Sequence, residues 1–387
     1  MKTEKDRKLR IVFLTNRNAK DKREWSGTLY YMAQAMSKYG CEVSYVGPYQ
    51  PKFVLFFLKT VRKLSETILH KKYNIAYSIV LAYFHKWFFT KKIREINPDV
   101  IFAGSSSSEL SLINLKIPKV FLADATFELL INNYPNFTNL TKLSLKEGDY
   151  IERKALYNAD VLVFSSQWAI DSARDFYKIP TKRLHLISYG ANLDQEPERA
   201  QVIGKKIDKQ INLLFLGVDW IRKGGADVYR VFSELLARGI NVQLTVCGCQ
   251  PPVDAHPQLI VHKFLNKNKA EDFQILYKIL LETHFLYVPS RSDCTPIVFC
   301  EASAYAIPVL TTNVGGIPSV VVEGINGHTF PLDKPTGEIA DLICSYVDNP
   351  HRYTSLSESS RNFYESNLNW NIWGEKMSKI FRNLVNN

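Results

Sequence analysis

The chain has 387 residues, 46% of them hydrophobic and 22% charged, with a formal net charge of +11 at pH 7. That length and balance exclude a disordered chain and leave apolar material for more than one core. The six cysteines include no CxxC pair, so neither a disulfide scaffold nor a zinc knuckle is indicated and reducing conditions fit best.

Charged residues precede a short apolar run, LRIVFL, that reads as a first strand and lacks the longer apolar region of a signal peptide. No stretch reaches the roughly 18 uninterrupted apolar residues of a membrane-crossing helix. The expected location is therefore cytoplasmic. On that expectation the glycosylation patterns at Asn136 and Asn139 are chance matches.

After the first strand, Trp25, Ser26, Gly27 and Thr28 stand before a helical pattern, GTLYYMAQAMSKYG. Gly27 there lets backbone approach a phosphate or other anion beside the free N–H groups of the helix start, or serves an ordinary turn. The dinucleotide fingerprint GxGxxG is absent.

Between Pro51 and Glu95, ten basic residues face only Glu66 and Glu95, interleaved with Phe53, Phe56, Phe57, Tyr83, Phe84, Trp87, Phe88 and Phe89. Two readings are open: a helix lying peripherally on an anionic membrane surface, or a domain helix with a buried aromatic stripe and a solvated basic face. The charge alone would also suit nucleic acid, but no recognised nucleic-acid reading module accompanies it.

The runs PDVIFAG, PKVFLAD and ADVLVFSS continue a strand-and-helix rhythm that argues for a parallel sheet covered by helices. Asp124 ends the second run, placed to hold a hydroxyl or to cap the helix before Phe127. Ser165 and Ser166 end the third with the same two options.

A polar stretch, ANLDQEPERAQVIGKKIDKQ, then reads as an interdomain connection. The expected division is a first domain over 1–195, a second over 205–368, and an amphipathic helix over 369–387 packing back toward the first, with Trp370 and Trp373 as anchors.

The second unit repeats the rhythm from INLLFLG onward, as an open α/β domain should. After its first strand, Arg222 and Lys223 bring positive charge beside Gly224 and Gly225, suited to a diphosphate whose negative charge grows as a bond breaks. The ATPase phosphate loop GxxxxGK[ST] is absent.

The richest constellation runs from Pro289 to Ala302. Asp293 is expected in a loop after a strand and Glu301 about one turn inside the next helix, with Pro296 near its start. Both carboxylates can accept bonds from sugar or ribose hydroxyls, while the N–H groups of Cys294, Thr295, Ile297 and Val298 can approach acidic oxygens.

On these residues the chain resembles the retaining nucleotide-sugar glycosyltransferase family 4. An acidic residue, Asp293, is followed after seven residues by Glu301, Ala302, Ala304, Pro308 and Val309 in an E-A-x-A-x-x-x-P-V context. Pro289 and Ser290 match the preceding PS, and Gly315 with Gly316 match a later glycine pair.

The resemblance implies a GT-B fold: α/β, two Rossmann-like domains facing an interdomain cleft. It implies a UDP-, GDP- or ADP-sugar as donor substrate with no separate cofactor, and transfer to a hydroxyl acceptor with retained configuration. The acceptor would be a glycan, lipid-linked or of the cell envelope in one form of the expectation. Asp293, where relatives usually carry glutamate, would contact the donor sugar, and Glu301 the ribose. Lys223 would meet the phosphates, with Arg222 compensating for Val218, which stands where relatives usually carry arginine. Asp124 occupies the approximate site of a functional histidine. Same-face attack, with donor phosphate helping remove the acceptor proton, needs no metal. The competing expectation is a noncatalytic nucleotide-sugar or carbohydrate-binding protein of the same fold.

Overall fold

The computed structural model describes residues 7–208, 210–267 and 269–386. The chain forms two compact units, one comprising the chain up to Ser188 together with the segment from Trp370, the other Tyr189–Asn369.

The first unit runs β1 (Leu9–Leu14), α1 (Thr28–Lys38), β2 (Cys41–Val46), α2 (Lys52–Ile68), α3 (Ile79–Ile96), β3 (Val100–Gly104), α4 (Ser107–Leu110), β4 (Lys119–Ala123), α5 (Phe127–Leu130), α6 (Lys142–Asn158), β5 (Val161–Phe164), α7 (Gln167–Asp175) and β6 (Leu184–Leu186). Its six strands pair in parallel in the order β2-β1-β3-β4-β5-β6. Helices cover both faces of such a sheet, which is why β3, and β4 after its leading Lys119, are apolar runs buried at every position rather than alternating ones. Ser166 caps α7, its hydroxyl accepting from the Ala169 N–H at 3.3 Å. Asp124 follows β4 directly, and the residue capping α5 is Thr126.

The basic aromatic segment forms α2 and α3, which behave differently. Helix α3 buries Leu81, Ala82, His85, Phe89 and Ile93 along one stripe but leaves Tyr83, Phe84 and Trp87 exposed, so it meets the domain-helix reading only in part. Helix α2 buries Leu58 alone and leaves Phe53, Phe56 and Phe57 exposed. Among the described residues no helix is long and apolar enough to cross a membrane.

The second unit runs α8 (Arg199–Val202), β7 (Ile211–Leu216), α9 (Gly225–Ala237), β8 (Val242–Cys247), β9 (Leu259–His262), α10 (Ala270–Glu282), β10 (Phe285–Tyr287), α11 (Ile297–Ala304), β11 (Val309–Thr312), β12 (Gly327–Phe330), α12 (Thr336–Val347) and α13 (Pro350–Asn367). The parallel order is β12-β11-β10-β7-β8-β9. The chain thus builds outward from β7 to β9, then returns to β7's other side with β10. Between β7 and β10 lies the point where the winding reverses, and open α/β sheets bind ligands outside the carboxyl ends of their strands at such a point.

Helix α14 (Trp370–Asn386) closes the first unit. Trp373 and Phe381 are buried and meet Phe102 of β3 edge-on, at 6.3 and 6.0 Å between ring centroids. The Ser378 hydroxyl donates to the Tyr39 carbonyl at the end of α1 at 2.8 Å. The apolar stripe of this helix is therefore spent on the first unit's own sheet and helix α1.

Candidate active site

In the second unit the β7 loop and the β10 loop meet at the winding reversal. The turn after β7 is folded by Lys223 N–H on the Asp219 carbonyl at 3.0 Å and Gly225 N–H on the Trp220 carbonyl at 2.8 Å. It ends on Gly224, whose φ of +74° lies in the left-handed region and whose missing Cβ would stand 2.1 Å from the Pro289 carbonyl oxygen. Only glycine allows this crossing. A backbone bond from Arg291 N–H to the Arg222 carbonyl, 2.7 Å, joins the two loops.

The crossing brings Lys223 to Asp293. Both are buried, and the Lys223 ammonium donates a short hydrogen bond to Asp293 Oδ2. Two further donors converge on the same oxygen at 3.4 Å, Arg222 Nη1 and the Ser290 hydroxyl. Arg222 also donates to the Ser292 carbonyl at 2.9 Å, which holds its guanidinium against the loop. From behind, Gly316 N–H donates to the Asp293 carbonyl at 3.1 Å. The residues expected to address phosphate and sugar are thus one hydrogen-bonded group. In such a group a cation reaches an incoming anion without leaving a buried carboxylate unpaired, because the other donors remain.

Helix α11 begins at Ile297 with Pro296 as its capping residue. Ile297 and Val298 occupy its first turn and are half-buried, while Cys294 and Thr295 lie buried in the loop before it. The free N–H groups of a helix start favour an anion. Glu301 lies just beyond the first turn and is buried, its Oε1 accepting from Lys267 Nζ at 2.7 Å. Lys267 stands in the loop after β9, and nothing in its local spacing singled it out. Ser290 is likewise a neighbour of Asp293 that sequence reasoning gave no role. Among the described residues no group of three or more His, Cys, Asp or Glu could hold a metal ion.

In the first unit, Gly27 precedes α1 with a φ of +86°, and Trp25 and Ser26 before it also take left-handed values of +48° and +57°. Consecutive left-handed non-glycine residues are costly and concentrate where a ligand or partner needs the backbone. Asp124 is half-buried at the carboxyl end of β4. Near it lies a polar group of the half-buried Tyr77 with the buried Glu109 and Glu152. Burial pushes the carboxyls of Glu109 and Glu152 up to about 7 and lowers His85, beside Glu109, to about 4. The 3.3 Å contact between His85 and Glu109 therefore joins two groups that burial favours in their neutral forms.

Two family models match in succession, Glycosyltransferase Family 4 over residues 27–195 and Glycosyl transferases group 1 over 197–363. The alpha-D-kanosaminyltransferase of Streptomyces kanamyceticus is 22% identical over 250 residues, 61% of this chain and 63% of that protein. The sucrose-phosphate synthase of Thermosynechococcus elongatus superposes with a TM-score of 0.66 at 16% identity, covering 97% of this chain and 99% of the other. Anabaena Alr3699/HepE, solved in complex with UDP-glucose, gives 0.62 at 12% identity, with 97% and 99% covered. These neighbours share the two-domain GT-B architecture.

Proposed function

Since the chain belongs to glycosyltransferase family 4, we propose that it moves a hexosyl group from a nucleotide-diphosphate sugar to a hydroxyl acceptor with retention of configuration. The observation that carries this reading is the convergence of Lys223, Arg222 and Ser290 on Asp293 at the winding reversal, in the loop that leads into α11, the helix that carries Glu301.

In this reading Glu301 accepts the ribose hydroxyl protons and the start of α11, from Cys294 to Val298, receives phosphate oxygens. Asp293 accepts from the transferred sugar. Lys223 and Arg222 stabilise the negative charge that grows on the diphosphate as the glycosidic bond breaks, so the reaction needs no metal or further cofactor. The acceptor hydroxyl attacks from the face the diphosphate leaves, and a phosphate oxygen takes its proton. Asp293 and Glu301 are not a hydrolase pair, because they address two different sugars. Gly27 lets backbone approach a phosphate or other anion, and Asp124 holds an acceptor or sugar hydroxyl. The acceptor is a glycan, lipid-linked or of the cell envelope, met at the inner face of a membrane; the exposed aromatic residues of α2 support that choice.

The test is a panel of UDP-, GDP- and ADP-hexoses with lipid-linked and soluble acceptors, with and without EDTA, and the anomeric configuration of the product read by NMR. Turnover with one donor and a retained anomer is the expected result. Donor binding without transfer to any acceptor would favour the noncatalytic reading, and an inverted product would remove the same-face mechanism.

A further inference from the structure

Helix α2 is 17 residues long and buries one of them, Leu58. Val54, Leu55 and Val61 lean with Leu58 on Tyr73, Ile75 and Leu81, which fixes the inward face. On the other side Phe53 is 93% exposed, Phe56 75%, Phe57 59%, Leu64 53% and Ile68 68%. The positions 53, 57, 64 and 68 recur at helical spacing, with Phe56 beside them, so these side chains form one continuous outward stripe. Isolated exposed apolar residues are ordinary, but a stripe of three phenylalanines and two aliphatic residues marks an interaction surface.

Charge along the stripe identifies the partner. Lys52, Lys59 and Lys63 are exposed and, at i, i+7 and i+11, form a row along one edge of the aromatic residues. Glu66, three residues after Lys63, lies beside the row and pairs with Arg62 at 3.4 Å, so along the helix four basic residues stand against one carboxylate. Two copies packed antiparallel on this face would bring one lysine row beside the other, which disfavours that self-association. A surface that is negatively charged at its outside and apolar just beneath meets both features together.

We propose that the outward face of α2 docks on an anionic phospholipid bilayer. Phe53, Phe56 and Phe57 enter the headgroup boundary, and Lys52, Lys59 and Lys63 meet lipid phosphates. The helix lies in the plane of the surface; its charged residues and length do not suit crossing it. This face stands on the geometry of α2 and holds whatever the second unit transfers.

The full chain is floated with phosphatidylcholine vesicles, with and without phosphatidylglycerol, across a salt series, and its mass is followed by analytical ultracentrifugation. Binding to the mixed vesicles that weakens with salt is expected. The variant Lys52→Gln/Lys59→Gln/Lys63→Gln should bind them at least about tenfold more weakly and with a flatter salt dependence. The variant Phe53→Ser/Phe56→Ser/Phe57→Ser should lose binding at raised salt while keeping the wild-type circular dichroism. A single Phe57→Trp should show a blue shift of the added tryptophan emission on mixed vesicles. Failure of the wild type to bind mixed vesicles at low salt would overturn the proposal, as would equal binding by both triple variants. A wild-type dimer that the serine variant turns into monomer would assign the face to a second copy instead. Donor affinity, measured by calorimetry on the same proteins, reports separately on the transfer reading.

Discussion

Lys267 Nζ lies 2.7 Å from Oε1 of Glu301, an exposed lysine from the loop after β9 held to a buried carboxylate on α11. The carboxylate is thus fixed in position by a partner that can swing into solvent. If Glu301 receives ribose hydroxyls, Glu301→Ala removes a charge-assisted interaction of about 1.5 to 3 kcal/mol, a loss in nucleotide-sugar affinity of roughly 10- to 150-fold. Lys267→Gln, which leaves the buried carboxylate a neutral donor in place of a charged one, should cost about 1 to 3 kcal/mol of stability. Titration calorimetry on the folded variants decides the first point; unchanged donor affinity in Glu301→Ala would remove the ribose assignment.

Lys223 and Asp293 share one hydrogen bond, so their substitutions should not add. Lys223→Gln should lower donor-saturated turnover more than it lowers donor affinity, because the lysine acts on charge that develops only as the bond breaks. In a double-mutant cycle with Asp293→Asn, a coupling of about 1 to 3 kcal/mol in transition-state stabilisation is expected. Additive losses would mean that the two side chains act independently, against the observed pairing.

Gly315 supports the Asp293 loop by lacking a side chain. Its φ is +57°, and a Cβ there would stand 2.1 Å from the Asp293 carbonyl oxygen. Gly315→Ala should destabilise the protein by at least about 2 kcal/mol and reduce transfer, since the loop must shift to relieve the clash. Gly324, with φ +70° but nothing within 4 Å of the added carbon, provides the control. Gly324→Ala should cost only the left-handed penalty of about 1 to 2 kcal/mol and leave transfer intact. Urea midpoints and turnover measured together separate the two cases.

Glu109 gives a pH prediction. Burial raises its carboxyl from the ordinary 4.5 to about 7 in the folded chain. The folded state therefore holds a proton that the unfolded state releases, so its stability contribution is present below about pH 4.5 and is lost as pH rises through 7. Glu109→Gln cannot ionise and escapes this loss. Its stability relative to wild type should climb between pH 4.5 and 7 by an amount on the order of 3 kcal/mol, then level off. Urea unfolding of both proteins across that range is the measurement, and a flat difference would show that Glu109 is not desolvated as described.

Local patterning in the sequence was enough for the elements and for part of the site. LRIVFL and INLLFL are the first strands of the two sheets because short apolar runs bounded by polar residues and followed by helical periodicity have few other ways to bury themselves. Asp293 in a loop and Glu301 one turn into a helix follow from the spacing around Pro296, which fixes where the helix starts. What the sequence could not contain is which distant groups meet. Lys223 and Asp293 are 70 residues apart and Lys267 and Glu301 34; the first pairing depends on the winding reversal that sets β10 beside β7, the second on the loop after β9 reaching α11. The same holds for the aromatic segment. Phe89 and Phe53 are equivalent letters in a basic aromatic stretch, yet one is buried and the other faces outward. Helix α3 lies against the rest of its unit along a full stripe, whereas α2 touches its neighbours mainly around Leu58. Periodicity tells that a helix has two faces, and only the packed neighbours decide which of them is covered.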